Sequence, residues 1–331
     1  KLQGFTITNG LNSPMSGGIY VNQSSPTLHD LIISENTGAA GGGICIDNQC
    51  NVVMTNLIVR NNTATERGGG VYAWGNVTLS LRDSEISNNS APHAGGVFLG
   101  YSIVPQIDNC TIAGNTATDY GGGVVFQNLL ENDNVILTES IVAGNSAPTG
   151  AQVHIAAYPN TWQEGNSART TISYSNVEMD DENDYFESDT GITSWGDGML
   201  DIDPGFVDTE AGDYRILASS FLISAGHPDS TDADGSRSDL GAHPYETDNS
   251  GTVWHVSTEG SDSDGMGTES SPFKTIQAGI NLASVGGTVT VAEGTYQENL
   301  IVRGRNLTVI GSGWANTILD ANENGSGVYA T

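Results

Sequence analysis

One glycine-rich motif recurs along the first half of the chain at an almost constant interval. Its copies read "MSGGIYV", "AGGGICI", "RGGGVYA", "HAGGVFL" and "YGGGVVF". Their last glycines are Gly18, Gly43, Gly70, Gly96 and Gly123, so successive copies lie 25, 27, 26 and 27 residues apart. A period this regular indicates that each copy is one structural unit, and that neighbouring units stack on one another.

Asparagines and apolar residues follow the same interval. The asparagines are Asn36, Asn62, Asn89, Asn115 and Asn145, and their last step of 30 residues predicts a small insertion near "LLENDN". Apolar residues alternate over short runs such as "NLIVRN", which is the spacing of strands. When the repeats are superposed, these residues form ladders: Leu28, Met54, Leu81, Ile107, Leu137; Ile33, Val59, Ile86, Ile112, Val142; Ile19, Ile44, Val71, Val97, Val124; and Val21, Ile46, Ala73, Leu99, Phe126.

Such ladders predict an all-β fold, a parallel β-helix in which each residue lies about 4.8 Å above its equivalent in the previous coil. The glycines then occupy corners that need a positive φ or have no room for a side chain. The asparagines are expected at another corner, with each amide bonded to the next asparagine of the stack. A leucine-rich repeat and a calcium-binding nonapeptide roll fit less well, because the Leu-x-x-Leu-x-Leu pattern is absent and the glycines do not recur every nine residues.

Composition limits the classes of partner. The 331 residues contain 39 Asp plus Glu against 10 Lys plus Arg, a net charge of −29, which repels nucleic acid and anionic lipid and favours divalent cations. The three cysteines, Cys45, Cys50 and Cys110, are too few for a disulfide framework, although Cys45 and Cys50 could close a small loop. No stretch approaches the ~18 apolar residues of a membrane span. We therefore expect neither a nucleic-acid partner nor a membrane span.

The repeats divide the chain into three regions. Residues 1–170 carry the β-helix coils, and residues 171–250 turn acidic and are expected to close them. Residues 251–331 begin a new pattern, in which "SPFKTIQAGINLA" predicts a short amphipathic capping helix over 272–283. The tryptophans and tyrosines are spread singly, and Trp254 and Trp314 are expected to cover an end of the core in this last region.

Several sequence stretches in the last two regions are similar to those of a known family. "HVSTEGSDSDG", "SPFKTIQAGINLA" and "GGTVTVAEGTYQENLIV" resemble the N-terminal cap of the pectate-lyase-like, right-handed parallel β-helix superfamily of secreted prokaryotic surface proteins. "DPGFVDTEAGDYRIL" and "DADGSRSDLGAHPYE" resemble the closing segment of the same proteins. The glycine-rich repeats resemble those of polymorphic outer-membrane proteins. The resemblance implies a right-handed coil and an extracellular or cell-surface location, but no single activity, because this fold carries lyases, hydrolases, adhesins and structural shafts.

The order of the regions differs from that of the family, because the cap-like text comes last. The chain begins with "KLQGFTITNG" and ends with "GSGVYAT", both in mid-strand pattern, and the end reads on smoothly into the beginning. We therefore expect one period of a longer array, a processed or excised piece whose exposed coils pair head to tail with further copies. The alternative is that the end segment folds back onto the beginning of the same chain. The residues expected in that assembly interface are Leu2, Phe5, Ile7, Val328 and Tyr329.

Two acidic stretches could bind metal. "DSTDADGSRSD" places Asp232, Asp234, Ser236 and Asp239 around a glycine, as in the first part of a calcium loop, and "GSDSDGMGT" offers Asp262 and Asp264. The alternative for both stretches is a polar turn in which Asp and Gly provide the backbone geometry, and neither loop ends in the bidentate Glu of a high-affinity calcium loop. Calcium is thus the one cofactor that the sequence suggests.

No set of residues matches a polysaccharide lyase or hydrolase. The ten cations form no cluster that would hold a uronate, and the adjacent Asp180 and Asp181 lie in a hydrophilic run without a neighbouring catalytic His. The first hypothesis is therefore a non-catalytic structural protein or adhesin, part of an extracellular filament, with surface glycans as possible partners. The alternative is a carbohydrate-active enzyme or sugar-binding module on the same fold.

Overall fold

The computed structural model describes residues 1–11, 15–101, 103–127, 134–156, 168–188, 191–247, 251–304, 306–323 and 325–330. All of the insertion predicted near "LLENDN" except Asn134 lies outside these residues.

Short parallel strands wind through the first 195 residues. The first of these are β1 (Leu2–Thr8), β2 (Ile19–Asn22), β3 (Thr27–Ser34), β4 (Thr37–Ala40), β5 (Ile44–Asp47), β6 (Cys50–Arg60), β7 (Thr63–Arg67), β8 (Val71–Trp74), β9 (Val77–Arg82), β10 (Glu85–Ser87), β11 (Ser90–His93) and β12 (Val97–Gly100). They continue with β13 (Ile103–Asp108), β14 (Thr111–Ala113), β15 (Thr116–Tyr120), β16 (Val124–Gln127), β17 (Asn134–Thr138), β18 (Ile141–Ala143), β19 (Val153–Ala156), β20 (Ala168–Ser173), β21 (Asn176–Val177), β22 (Tyr185–Glu187) and β23 (Gly191–Trp195).

These strands stack into three parallel sheets of a β-helix. The first sheet has twelve strands and contains β3, β6 and β9. The second sheet has the strand order β2-β5-β8-β12-β16-β19-β22, and the third has the order β4-β7-β11-β15. All four predicted ladders are confirmed: Leu28 pairs with Met54, Ile33 with Val59, Ile44 with Val71 and Ile46 with Ala73, and so on up the stack. Constant alternation fixes this register, because a slip of one residue would turn every apolar side chain outward.

The predicted asparagine stack is also confirmed. Asn62 Nδ2 donates to Asn89 Oδ1 at 3.0 Å, and Asn89 Nδ2 donates to Asn115 Oδ1 at the same distance. The same bond joins Asn36 to Asn62 and Asn115 to Asn145, so one unbroken amide ladder runs inside the corner. We call this set of five residues the asparagine ladder.

The glycine motif forms the sharp corner between the third and second sheets. Gly68 has φ +63°, and a Cβ there would lie 2.6 Å from the carbonyl oxygen of Val71. The equivalent residue of the next coil is Ala94, which adopts φ 56° despite its side chain. The left-handed backbone therefore recurs at this corner, in Gly41, Gly68, Ala94, Gly121 and Gly150, and glycine provides it with the least strain.

Residues 171–202 continue the coil, in strands up to β23 and in a parallel bridge between Asn176 and Leu200, whereas residues 203–247, here called the closing region, lie along its side. The closing region contains the antiparallel pair β24 (Phe206–Asp208) and β25 (Asp213–Ile216). Tyr214 Oη donates to Asn88 Oδ1 at 2.7 Å, and Ala242 N donates to Thr111 Oγ1 at 3.0 Å. Gly241 permits this approach, because a Cβ there would lie 2.6 Å from Ile141. Outward residues of the coil, among them Ile141 and Ala143, thus become part of a second apolar cluster.

The last region builds a separate small β-helix core. Its elements are β26 (Val253–Val256), α1 (Ile276–Leu282), β27 (Thr288–Val291), β28 (Gly294–Gln297), β29 (Leu300–Val302), β30 (Thr308–Gly311), β31 (Thr317–Asp320) and β32 (Val328–Ala330). The helix is shorter than the predicted 272–283, because Thr275 rather than Pro272 caps it and accepts a bond from Ala278 N. The carboxylate of Glu298 accepts from Ile276 N and Gln277 N, so the free N–H groups of this helix start are bonded.

The predictions for two kinds of side chain can now be compared with the structure. Cys45, Cys50 and Cys110 are all buried free thiols, so Cys45 and Cys50 close no loop. The prediction that tryptophans cover a core end is confirmed for Trp254, which is 4% exposed, and wrong for Trp314, which is 96% exposed. None of the described helices is long and apolar enough to cross a membrane.

Candidate functional site

The first acidic stretch folds into a tight loop whose carboxylates accept backbone hydrogen bonds. Asp239 is 3% exposed, and its two oxygens accept from Ser224 N at 2.7 Å and Tyr245 N at 2.8 Å. Asp232 Oδ2 accepts from Asp239 N at 2.9 Å. Asp234 Oδ1 accepts from the N–H and the hydroxyl of Ser236, at 2.8 and 2.6 Å. The structure therefore brings Asp232 and Asp239 together, and leaves Asp234 exposed at the surface of the loop.

Burial changes the protonation of this loop. It raises the pKa of Asp239 to about 7 and that of Asp232 to about 6, and the neighbouring carboxylates, Asp234 among them, add to both shifts. Backbone N–H bonds act against the shifts in both residues. Within the described residues, no group of three or more His, Cys, Asp or Glu is placed to hold a metal ion. Calcium binding by this loop stays a prediction.

The second acidic stretch organises the start of the helix. Asp262 is 8% exposed, and its Oδ1 accepts from Lys274 N at 2.8 Å and Thr275 N at 3.1 Å. Its Oδ2 accepts from the Thr275 hydroxyl at 2.7 Å. Asp264 points away, accepts from Ser263 Oγ and lies 3.5 Å from Arg215. The two carboxylates predicted to share a cation thus have separate partners.

The residues predicted for assembly lie on two edge strands. β1 pairs with β3, and β32 pairs with β29. Leu2 and Ile7 are half-buried against the first core, whereas Phe5, Val328 and Tyr329 are 57%, 55% and 58% exposed. Each edge therefore has apolar side chains and a free side of its strand within the described residues.

A cavity of about 540 Å³ lies where the acidic loop meets the last region. Asp234, Asp239 and Tyr245 line one side, and Trp254 and Asn281 line the other. The indole N–H of Trp254 is buried and has no hydrogen-bond partner among the described residues. Sequence reasoning found the acids but not the cavity, because no pattern links the loop to β26.

Two further features escaped sequence reasoning. His243 Nε2 lies 2.7 Å from Glu85 Oε2, and Glu85 is 5% exposed. These residues are 158 positions apart. The only sequence signal for this pair is that His243 belongs to the "DLGAHPYE" stretch, which resembles the closing segment of the family. The second feature is a stack of rings on the outside of the coil, at centroid distances of 4.4, 4.4 and 4.6 Å: His93, Tyr120, His154 and Phe186.

The ring stack joins the second and third sheets, because His93 and Tyr120 lie on strands of the third sheet and His154 and Phe186 on strands of the second. Tyr72 and Phe98 stack beside it, and the guanidinium of Arg67 lies 5.6 Å from the Phe98 ring centre. Although Phe98 faces outward from the coil, it is fully buried by these neighbours. His154 is 7% exposed, and its burial lowers its pKa to about 4. Aromatic side chains that are isolated in the sequence thus form one exterior cluster.

Comparison with family models agrees with this geometry. A model described as a right handed beta helix region matches residues 2–199, which is more than half of the chain. The chain belongs to this family. Residues 258–303 of the β-helix protein match a second model, described as a protein of unknown function, DUF1565. Searches of curated proteins and of solved structures found no match. The family membership supports the fold and names no activity.

Proposed function

We propose that this β-helix protein is a non-catalytic, extracellular structural or adhesive protein. The asparagine ladder is the observation that carries the proposal. If the repeats shared a binding or catalytic function, polar side chains that recur in every repeat would be expected to perform it. The recurring asparagines instead use their amides in hydrogen bonds between coils. Asn62, Asn89 and Asn115 are at most 1% exposed, so none of them is available to a ligand. The repeated residues therefore serve to stack coils.

The surface chemistry supports an extracellular role. A net charge of −29 keeps a long apolar-cored rod soluble and repels other polyanions. The exposed tyrosines Tyr20 and Tyr101 offer rings on which surface glycans can stack. We include glycans among the proposed partners for this reason.

Coil-to-coil pairing is the proposed mode of assembly. β1 and β32 each accept one further parallel strand, and a parallel strand there would satisfy the backbone groups of the edge. The added coil can come from adjoining residues of a longer chain or from another copy. In either case the units line up head to tail along one axis and form a filament or tandem array.

The enzyme alternative is tested directly by activity. We expect no release of unsaturated or reducing sugar from pectin, alginate or xylan above a buffer blank. The purified protein is incubated with each polysaccharide, with and without added calcium, and the products are measured by ultraviolet absorbance and a reducing-end assay. Activity that disappears on substitution of one surface carboxylate would replace the structural proposal with a carbohydrate-active enzyme.

A further inference from the structure

We propose that the first coil of a second copy docks on the last coil of the small β-helix core. The first coil contains β1 and β2, and the last coil contains β30, β31 and β32. This inference rests on the head-to-tail assembly proposed above and deepens it by naming the strands that pair and their register. β1 adds to β30 with Ile7 beside Val309, and β2 adds to β31 with Val21 beside Leu319.

The two coils present complementary strand edges. β30 pairs with β27 and β31 with β28, and each is the last strand of its sheet within the described residues. β1 pairs with β3 and β2 with β5, and among the same residues each is the first strand along its stack. All four pairs are parallel. A parallel strand can therefore add at each edge, and the contact joins two different surfaces, as head-to-tail assembly requires.

The alternation of side chains sets the register between β1 and β30. Val309 belongs to the inward row of β30, because its partner Val289 is fully buried. Ile7 belongs to the inward row of β1, because its partner Ile33 is also fully buried. A slip of one residue would bring an outward threonine of β1 beside Val309 and would turn Ile7 away from the core. Placing Ile7 beside Val309 keeps both side chains inside.

The second pair of strands matches in the same way. The partner of Leu319 in β28 is Tyr296, which is buried in the small core. The partner of Val21 in β5 is Ile46, which is fully buried in the large core. Leu319 and Val21 therefore both belong to inward rows. With Val21 beside Leu319, the inward rows of the two cores continue into one another at both strands.

The charges of the two edges permit this contact. Asp320 is the only charged residue in β1, β2, β30 and β31. The register places Asp320 beside Asn22, whose side-chain amide can donate a hydrogen bond to a carboxylate. No like charges therefore meet along these four strands, although the chain has a net charge of −29.

The last coil leaves apolar surface uncovered. A cavity of about 400 Å³ lies against it. The apolar residues that line this cavity include Val291, Leu300, Val309, Leu319 and Val328. Phe5, which is 57% exposed, and Ile7 both pair with buried residues of β3, so they belong to the inward rows of the first coil. Docking removes apolar surface of both coils from water, which is the main driving force for association.

The register is tested by disulfide formation between two singly substituted copies of the whole chain. Thr6→Cys is mixed with Thr308→Cys, and Tyr20→Cys with Ile318→Cys. In the proposed contact each pair places its Cα atoms about 4.8 Å apart, within the reach of a disulfide. Thr8→Cys with Thr308→Cys is the matched control, because a shift of two residues separates the Cα atoms by about 8 Å. The native thiols are buried and do not compete.

One copy of each mixture is isotopically labelled, so that mass spectrometry identifies the mixed dimer. We expect at least about tenfold more mixed dimer from each in-register pair than from the control. An equal yield from the control, or no mixed dimer from the in-register pairs, would overturn the docking. Light scattering then separates two failures: parent particles that lengthen with concentration would keep the proposed assembly and move its contact elsewhere, whereas monomers would refute both.

A charge placed inside the contact provides a second test. Val309 is 41% exposed and Ile310 is 52% exposed, so neither side chain belongs to the buried core of a single copy. Val309→Asp puts a carboxylate into the docked core and should lower the yield of the Tyr20→Cys and Ile318→Cys dimer at least about tenfold. Ile310→Asp adds the same charge on the outward row and should leave the yield unchanged. Equal losses for both variants would overturn the proposed register.

Discussion

Replacing Asn89 tests whether the asparagine ladder determines stability. The side chain of Asn89 donates from Nδ2 to Val59 O and to Asn115 Oδ1, and its Oδ1 accepts from the backbone N and the Nδ2 of Asn62. Asn89→Ala removes all of these bonds and leaves Asn62 N–H and Val59 O buried. At about 1 kcal/mol net for each of the four bonds, the free energy of unfolding should fall by about 4 kcal/mol.

The assay is urea unfolding followed by far-ultraviolet circular dichroism. Thr78→Ala is the matched control, because Thr78 lies on the exposed face of β9 in the same coil and surface changes of this kind cost about 0.5 kcal/mol or less. A loss of less than about 1 kcal/mol for Asn89→Ala, or a loss equal to that of the control, would refute the reasoning. It would mean that water or a shift of the backbone replaces the amide at no cost.

The remaining predictions concern pH, metal and assembly. Burial raises the folded-state pKa of Asp239 to about 7, so its contribution to the free energy of unfolding is present at acid pH and lost as the pH rises towards 7. In urea unfolding measured at a series of pH values, Asp239→Asn should therefore show a flatter dependence of the free energy of unfolding on pH than the parent. An unchanged slope would contradict this. His154, with a pKa of about 4, contributes the opposite slope between about pH 4 and 6.5, so His154→Phe should gain stability towards acid pH relative to the parent when both are measured in the same series. If the first acidic loop binds calcium, EDTA should lower the melting temperature and Asp234→Ala should remove most of that effect; a melting curve that EDTA leaves unmoved at low salt identifies the loop as a turn. If copies pair through the edges of β1 and β32, light scattering should show particles that lengthen with concentration, and Ile7→Asp or Val328→Asp should stop the growth; monodisperse monomers at high concentration would exclude assembly between separate copies.

The sequence predicts the coil well because its repeats are redundant. Five copies with one interval place Leu28, Met54 and Leu81 in the same ladder, and each ladder independently requires the same register. The asparagine bonds follow from the same periodicity. Strand alternation, repeat interval and coil register all indicate the same fold, so each supports the others.

The candidate site could not be predicted in the same way. Tyr214 meets Asn88 across 126 residues, and no repeat or alternation relates the closing region to the coil face on which it packs. The acidic loop was recognisable by composition, but its surroundings depend on where β26 and the helix come to lie. The unpaired N–H of Trp254 is a property of that packing alone, and a sequence contains no signal for it.

The position of the closing region has a mechanical consequence. In a solenoid each coil contacts only its neighbours, so tension applied at one end can peel the coils away singly, each at a low force. The closing region instead bonds to Glu85, Thr111 and Glu139, which belong to three successive coils. Because these bonds lie side by side along the axis, pulling loads them together in shear. A protein cross-linked in this way should resist stretching as one block and then unfold abruptly.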